Sequence, residues 1–538
     1  MNVVPIPSRK PRPGAALVAA ALAAGIGAGP AALAQSPLVA NHVALQDVVV
    51  SGTRSERDGD ELPISMDVIG APAMEQGQVG DIRDLARGLP NVSVKRAPAR
   101  FSVTGRGNPV GADGNAGFSI RGQGGNRVSM LVDGIRLPRS YINGSNAFGR
   151  DTVALELVRR VELVRGPSSV LYGSDGLAGL VNFITLEPTD FLRQGNAGPK
   201  DIGGRVWVGF NGEDQGVGAG ATVAAQRGEN AQWMLSAMTH GFKALGNMGS
   251  NDAADLGRTT PNPQVNRGEA LLGKLVLRPG DGQRHVLTLE HVRKDWEYAL
   301  LSSRAMLPLS GTASQIAAAV VDETSAKTTD RSRFTWSADF RLETALADRL
   351  QTGLSWQATA AQDNGRTVRN DNGVRIRNTS YGERAWQLTL QAEKVTRWSQ
   401  RWSQTTSYGF DHAATDLSSF ADGSDPTPPG PYLPKKYFPD TRDSSAALFV
   451  QTELSDERWS ITPALRIDRY ALQVQSQAGY FPSPSAVAGK SLSGSAFSPR
   501  FGLLFRPARA WALFGNYASG FRAPEVQQVN NVFEGFNV

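Results

Sequence analysis

The stretch Arg333-Phe334-Thr335-Trp336-Ser337-Ala338-Asp339-Phe340-Arg341-Leu342-Glu343 alternates without a break. Successive side chains of an extended chain point to opposite sides. Phe334, Trp336, Ala338, Phe340 and Leu342 therefore share one face, and Arg333, Thr335, Ser337, Asp339, Arg341 and Glu343 share the other. One face is wholly apolar and carries aromatics; the other is polar and charged. A strand of a soluble sandwich also alternates, but its polar face meets bulk water and its apolar face a packed core. Runs of about ten residues with aromatic ends fit lipid outside and a wet lumen inside.

The pattern recurs. Trp459, Ile461, Leu465 and Ile467 lie opposite Ser460, Thr462, Arg466 and Asp468. From about residue 200 onward, roughly 13 such strands follow one another. Their connectors alternate in length. Those near 280–284, 344–348, 396–400, 455–457 and 507–509 are short; those at 242–268, 296–330, 362–382, 415–442 and 473–494 are long and polar. Short turns on one rim and long loops on the other are the habit of outer-membrane barrels. Residues 200–538 are expected to form a partial transmembrane antiparallel β-barrel with extracellular loops.

Composition agrees. Of 538 residues 40% are hydrophobic, and beyond the N-terminus no apolar run reaches the roughly 20 residues of a spanning helix. Cysteine is absent, which removes disulfide frameworks, thiolate catalysis and Cys-ligated metal sites. Arg9, Lys10 and Arg12, the Ala15 to Ala24 core and the Ala32-Leu33-Ala34 cleavage site mark residues 1–34 as a secretory signal peptide. Its loss lowers the formal charge from +6 to +3. With no concentrated basic stripe, nucleic acid is not an expected partner.

Residues 35–59 begin as a polar lead and then read Asp47-Val48-Val49-Val50-Ser51-Gly52-Thr53-Arg54. Three valines favour an extended chain. Such a segment can add itself as a strand to a partner's sheet, or serve as the first strand of the next domain. Residues 60–187 read as a compact α+β domain. Asp81 caps a short helix that Gly88 and Pro90 stop. Phe118–Gly122, Val128–Val132, Val161–Arg165 and Val181–Thr185 read as strands, punctuated by Asp133-Gly134 and Gly166-Pro167. Gly105-Arg106-Gly107 lacks the third glycine of a dinucleotide loop, and no phosphate loop, zinc-protease helix or nucleophile elbow is present. Neither enzyme chemistry nor a metal site is expected.

Four runs together resemble TonB-dependent outer-membrane receptors, and more narrowly their haem and haemoglobin receptor branch. They are DVVVSGTR at 47–54, FSIRGQGGNRVSMLVDGIRLP at 118–138, VELVRGPSSVLYGSDGLAGLVNFIT at 161–185 and GFRAPE at 520–525. The resemblance implies an N-terminal plug (60–187) inside a barrel of about 22 strands. It implies a TonB box at 47–53, with Asp47, Val48, Val49, Val50 and Ser51, and plug-motif positions Arg121, Gly122, Asp133, Gly134, Glu162, Arg165, Gly166 and Pro167. It makes Phe521, Arg522, Ala523 and Pro524 a FRAP box. The implied setting is the cell outer membrane. The implied partners are TonB with its inner-membrane energising complex, outer-membrane lipid, and haem or haemoproteins. Haem is then cargo, with no intrinsic cofactor. Buried charge must be paired to be tolerated, so Arg121, Glu162 and Arg165 are expected to meet lumen charges of the wall.

Haem iron takes His most often, sometimes Tyr or Met. The five histidines are His42, His240, His285, His291 and His412. His42 precedes the TonB box, and His285 and His291 share a strand face as wall residues. His412, His240 and Tyr141 remain as candidate ligands. The family's own barrel histidine follows the FRAP box, where this sequence has none. By strand count the FRAP box opens the seventh extracellular loop and the chain ends there, roughly nine strands short of 22. A ferric-siderophore receptor, a non-functional truncated receptor and an exported adhesin or porin are the competing readings.

Overall fold

The structure is a computed structural model. It describes residues 48–49, 51, 54, 57–58, 62–94, 117–143, 146–150, 152–192, 201–228, 230–424, 433–480, 488–508 and 511–530. The expected signal peptide and most of 35–59, including Asp47 and Val50, lie outside the described residues.

Thirteen strands form one antiparallel sheet, each bonded to the next in sequence, from Ile202–Asn211 to Trp511–Ala518. The ladder is regular: Phe334 lies opposite Leu289 on one neighbour and Trp356 on the other. Burial is inverted relative to a soluble protein. Arg331 and Arg333 are at most 1% exposed, whereas Phe334, Trp386 and Leu448 are 43%, 53% and 65% exposed. Polar side chains face inward against a packed interior and apolar ones face out. That order is stable only where the exterior is hydrocarbon. Among the described residues no helix is long and apolar enough to cross a membrane; the crossing is made by strands.

The short turns fall where the sequence puts them, but two long loops are corrected. The strands Val320–Arg341, Arg349–Arg369, Val374–Arg397 and Ser403–Ser424 have 21 to 24 residues. A crossing uses about 9–11. The segment 362–382 is thus mostly hairpin, turning between Arg369 and Val374 with Asn372 at φ +63°. In 296–330 the ladder resumes at Val320, after a short helix Ala313–Ala318 capped by Thr312. These extensions carry polar residues on both faces, so hydropathy alternation does not reveal them. Their backbone groups are nonetheless paired across the hairpins.

Inside sits the plug. Its five-stranded sheet runs in the order Ser65–Gly70, Val158–Arg165, Gly179–Thr185, Val128–Val132, Ile135–Arg136. The contact between Gly179–Thr185 and Val128–Val132 is parallel. Helix Ile82–Ala86 starts at Asp81, whose carboxylate accepts from Arg83 N at 2.8 Å and Asp84 N at 3.2 Å. Ile120, Val128, Val181 and Phe183 are fully buried in the plug core.

Candidate functional site

The plug motifs begin as backbone chemistry. Arg121 and Gly122 have φ of +49° and +79°, and Asp133 and Gly134 have +51° and +79°. Two consecutive positive φ values make the tight hairpin turn that matches strand twist. The Asp133 carboxylate then accepts from Thr185 N at 2.9 Å and Thr185 Oγ1 at 2.7 Å, tying the turn to the neighbouring strand. From the wall, Arg333 Nη2 reaches Asp133 at 2.8 Å, Arg333 Nε reaches Glu290 at 2.8 Å, and Arg331 Nη2 reaches Glu290 at 2.6 Å. Arg333 also donates to Val132 O at 3.0 Å and Arg331 to Thr152 O at 3.1 Å. Burial alone would raise the Asp133 carboxyl; Lys274 and Arg333 outweigh it and hold the group below the usual carboxylate range.

The expected plug–wall pairs are corrected. Arg165 pairs with Asp67 at 2.5 Å and donates to Pro90 O at 3.3 Å. Glu162, fully buried, accepts from Arg160 at 2.7 Å and from Ser51 N at 2.8 Å. Those partners all belong to the plug side. The Arg121 side chain is exposed on its turn. These groups sit on the plug's own strand pairs, where intraplug donors are nearest. The wall is reached instead by Asp133, Arg139 and Arg54. The sequence offered a usable signal, since Arg331 and Arg333 share lumen parity in and beside the opening stretch.

The segment expected to hold the TonB box is docked. Val48–Val49 pairs antiparallel with Arg57–Asp58 of the same chain. Ser51 is 2% exposed, and its Oγ accepts from Asn182 Nδ2 at 3.0 Å. The same Asn182 side chain accepts from Gly134 N at 3.1 Å. Arg54 lies between the rings of Tyr172 and Phe449, 5.2 and 4.9 Å from their centroids, and donates to Asp411 at 3.1 Å. Asp411 also takes Arg466 at 2.5 Å, and Arg466 takes Asp468 at 2.9 Å. Gly173 of the plug fits between them: a Cβ there would lie 3.1 Å from Arg466 Nη2.

The expected FRAP box follows the thirteenth strand, in line with the strand count, and is seated against the plug. The last described strand pairs only with Arg500–Ala508, half of its neighbour's length, and the chain then turns inward. Gly520 begins the departure, packed where a Cβ would meet Leu177 and Pro167 of the plug. Phe521 stacks on Tyr470 with centroids 6.2 Å apart. Arg522 pairs with Glu525, Ala523 is 4% exposed, and Pro524 precedes the short helix Val526–Val529.

A cavity of about 80 Å³ lies between this segment, the plug apex and the wall, bordered by Arg136, Arg139, Tyr381, Asp443, Arg466 and Phe521 among others. Ligand pockets are typically 300–1,000 Å³. Arg139 Nε donates to Asp175 at 2.6 Å, and its other end pairs with Asp443 of the wall. Burial would raise Asp175, but Arg139 and Arg136 bring it below its ordinary value.

The three candidate ligands separate. Tyr141 is 2% exposed and stacks on Tyr381 at 4.9 Å; burial, then Tyr437, raises its phenol well above the ordinary value, disfavouring a phenolate. His412 is exposed on the outer face, because its neighbour Asp411 points into the lumen. His240 faces inward, 3.7 Å from Glu156 of the plug and 5.5 Å from the Phe242 ring centroid. It borders a second cavity of about 730 Å³ that also touches Trp207, Arg267, Lys294 and Trp296. Among the described residues no group of three or more His, Cys, Asp or Glu could hold a metal ion.

Two family descriptions match the chain: "TonB-dependent Receptor Plug Domain" over 58–180 and "TonB dependent receptor-like, beta-barrel" over 278–537. The chain belongs to the TonB-dependent receptors, proteins of the outer membrane. It is similar to the "Hemin receptor" of Yersinia enterocolitica, 31% identical over 220 residues, which is 40% of this chain and 28% of that protein. It is also similar to the vitamin B12 transporter of Vibrio vulnificus, 33% identical over 151 residues, 28% of this chain and 22% of that one. Among solved structures, a double mutant of the Serratia marcescens haemophore receptor HasR, in complex with its haemophore HasA and haem, superposes with a TM-score of 0.62. Identity there is 17%, over 88% of this chain and 66% of that one. The ferric citrate transporter FecA gives 0.61 at 15% identity, over 90% and 67%. The chain thus spans about a quarter of the curated relatives' length and about two thirds of the solved ones.

Proposed function

We propose that this receptor takes haem, free or stripped from haemoproteins, across the outer membrane, with TonB drawing on the segment around Val48–Ser51. The observation that carries this reading is the GFRAPE run seated on the plug apex at the edge of the lumen cavity. The similarity to haemin receptors supports it. The apex cavity is too small for a porphyrin, so capture occurs above it and passage requires the plug to shift. The plug–wall contacts suit such a shift: several are polar and ion-paired, and polar contacts can exchange partners stepwise.

A ferric-siderophore cargo is the second reading. It is favoured by the apex lining, which has aromatic rings and no histidine, although its arginines Arg136, Arg139 and Arg466 stand among the carboxylates Glu383, Asp443, Asp468 and Glu525. The test is growth of an iron-starved host lacking its own receptors and carrying this one. Growth on haem that is lost without TonB supports the first reading. Growth on ferric siderophores alone replaces it with the second.

A further inference from the structure

Segment 521–527 is hydrogen-bonded to the plug at several points. Phe521 N donates to Ser169 Oγ at 3.1 Å, and Phe521 O accepts from Asp175 N at 3.3 Å. Ala523 N donates to Ser174 Oγ at 2.9 Å. Glu525 is 3% exposed, and its Oε2 accepts from Asn126 Nδ2 of the plug at 2.8 Å and from Gln527 Nε2 at 2.6 Å. Its Oε1 accepts from Arg522 Nε at 2.9 Å. Gln527 donates to Ser140 O at 3.3 Å and accepts from Ile142 N at 3.2 Å. A short piece of the wall chain therefore grips three separate plug stretches, around Asn126, Ser140–Ile142 and Ser169–Asp175.

A carboxylate this buried is costly unless donors surround it. Arg522 and Gln527 move with Glu525, but Asn126 belongs to the plug, so moving the plug away takes one donor from a buried carboxylate. Asn126 is committed on its other side too: its Oδ1 accepts from Ser140 N at 2.7 Å and from Arg150 Nη2 at 2.7 Å. The asparagine cannot follow the wall without leaving the plug.

We infer that Phe521–Gln527 is a clasp that holds the plug apex to the barrel wall, with Glu525 as its positioning residue. Any plug displacement that carries cargo must open it first. The clasp joins positions about 400 residues apart in sequence, and its energetics act on both sides equally, since coupling between sites is reciprocal.

The test is amide hydrogen exchange on the whole receptor in detergent, without ligand, so the result does not depend on whether the cargo is haem. Glu525→Ala should accelerate exchange in peptides 168–178 of the plug as well as in 519–530. The expected factor is on the order of tenfold or more, the size of a lost hydrogen bond to a charged group. Asn126→Ala, cut from the opposite side, should accelerate 519–530 similarly. Glu525→Gln keeps an acceptor for Asn126 and should fall between Glu525→Ala and the unaltered protein. The strand Val158–Arg165 should keep its protection throughout, which shows that the plug remains folded. If each variant loosens only its own side, or neither loosens anything, the clasp is refuted. Should Glu525→Ala fail to assemble, the response of 519–530 to Asn126→Ala decides alone.

Discussion

Replacing Arg333 with methionine should release the plug from the wall more than any other single change to the lumen charges. The guanidinium is buried and bonds Glu290, Asp133 and the Val132 carbonyl at 2.8, 2.8 and 3.0 Å. Methionine fills similar space without charge. Removing one partner from a buried ion pair costs about 3–5 kcal/mol, because the other charge is left uncompensated. The lower end applies. Glu290 keeps Arg331 at 2.6 Å, and Asp133 keeps both Thr185 donors. About 3 kcal/mol corresponds to a roughly 150-fold rise in the open population. With a urea dependence of about 1–3 kcal/mol per molar, the plug's protease-sensitivity midpoint should fall by about 1–3 M. All ten tryptophans lie outside 60–187, so tryptophan emission reads the barrel separately and should keep its own midpoint. Adding Asp133→Asn should recover part of the loss, since residues sharing one network do not add. A midpoint unchanged in Arg333→Met would refute the assignment of this network as the plug's anchor.

Leu448→Arg places a charge on the outer face at a position 65% exposed. In a soluble protein that exchange is nearly neutral; here it should cost about 2–4 kcal/mol of barrel stability in lipid vesicles, read from unfolding with tryptophan emission. Gly149→Ala should cost the plug at least ~2 kcal/mol, since φ is +103° and the added Cβ would lie 2.1 Å from the Arg139 carbonyl oxygen. Proteolysis without denaturant checks this, and wild-type resistance would refute the strain argument. Asp133 and Asp175 have folded pKa values below their ordinary ones. Their contribution is therefore complete above about pH 4 and is lost as pH falls through the depressed values. Asp175→Asn should remove part of the acid-induced loss of plug resistance; an acid limb identical to wild type would show that Asp175 contributes none of it.

Much of the architecture was legible because alternation is a two-residue signal that survives without tertiary information. Phe334 and Arg333 state the two faces of the wall by themselves. The plug turns were legible for a similar reason, as Asp133-Gly134 has few backbone options. The full length of the hairpin Arg349–Arg397 is hidden from the alternation pattern because both faces of its extension are polar. Counting strands puts Phe521 after the thirteenth strand but says nothing of its seat against the plug. That seat is set by Ser169, Ser174 and Asn126, some 350 to 400 residues away, and no local pattern encodes that distance. Likewise the side on which His412 lies follows from the partner of Asp411, which only the fold reveals.

The long central strands have a consequence for binding. At about 3.3 Å per residue and a tilt near 45°, 24 residues of Val374–Arg397 rise roughly 55 Å, about 25 Å more than the hydrocarbon requires. This projection is a hydrogen-bonded lattice, not a tether. A flexible loop must surrender conformational entropy when it closes on a large partner, about 1–2 kcal/mol for each residue fixed. A lattice that is already ordered meets any large partner without that penalty, so even a modest contact area can suffice to hold it.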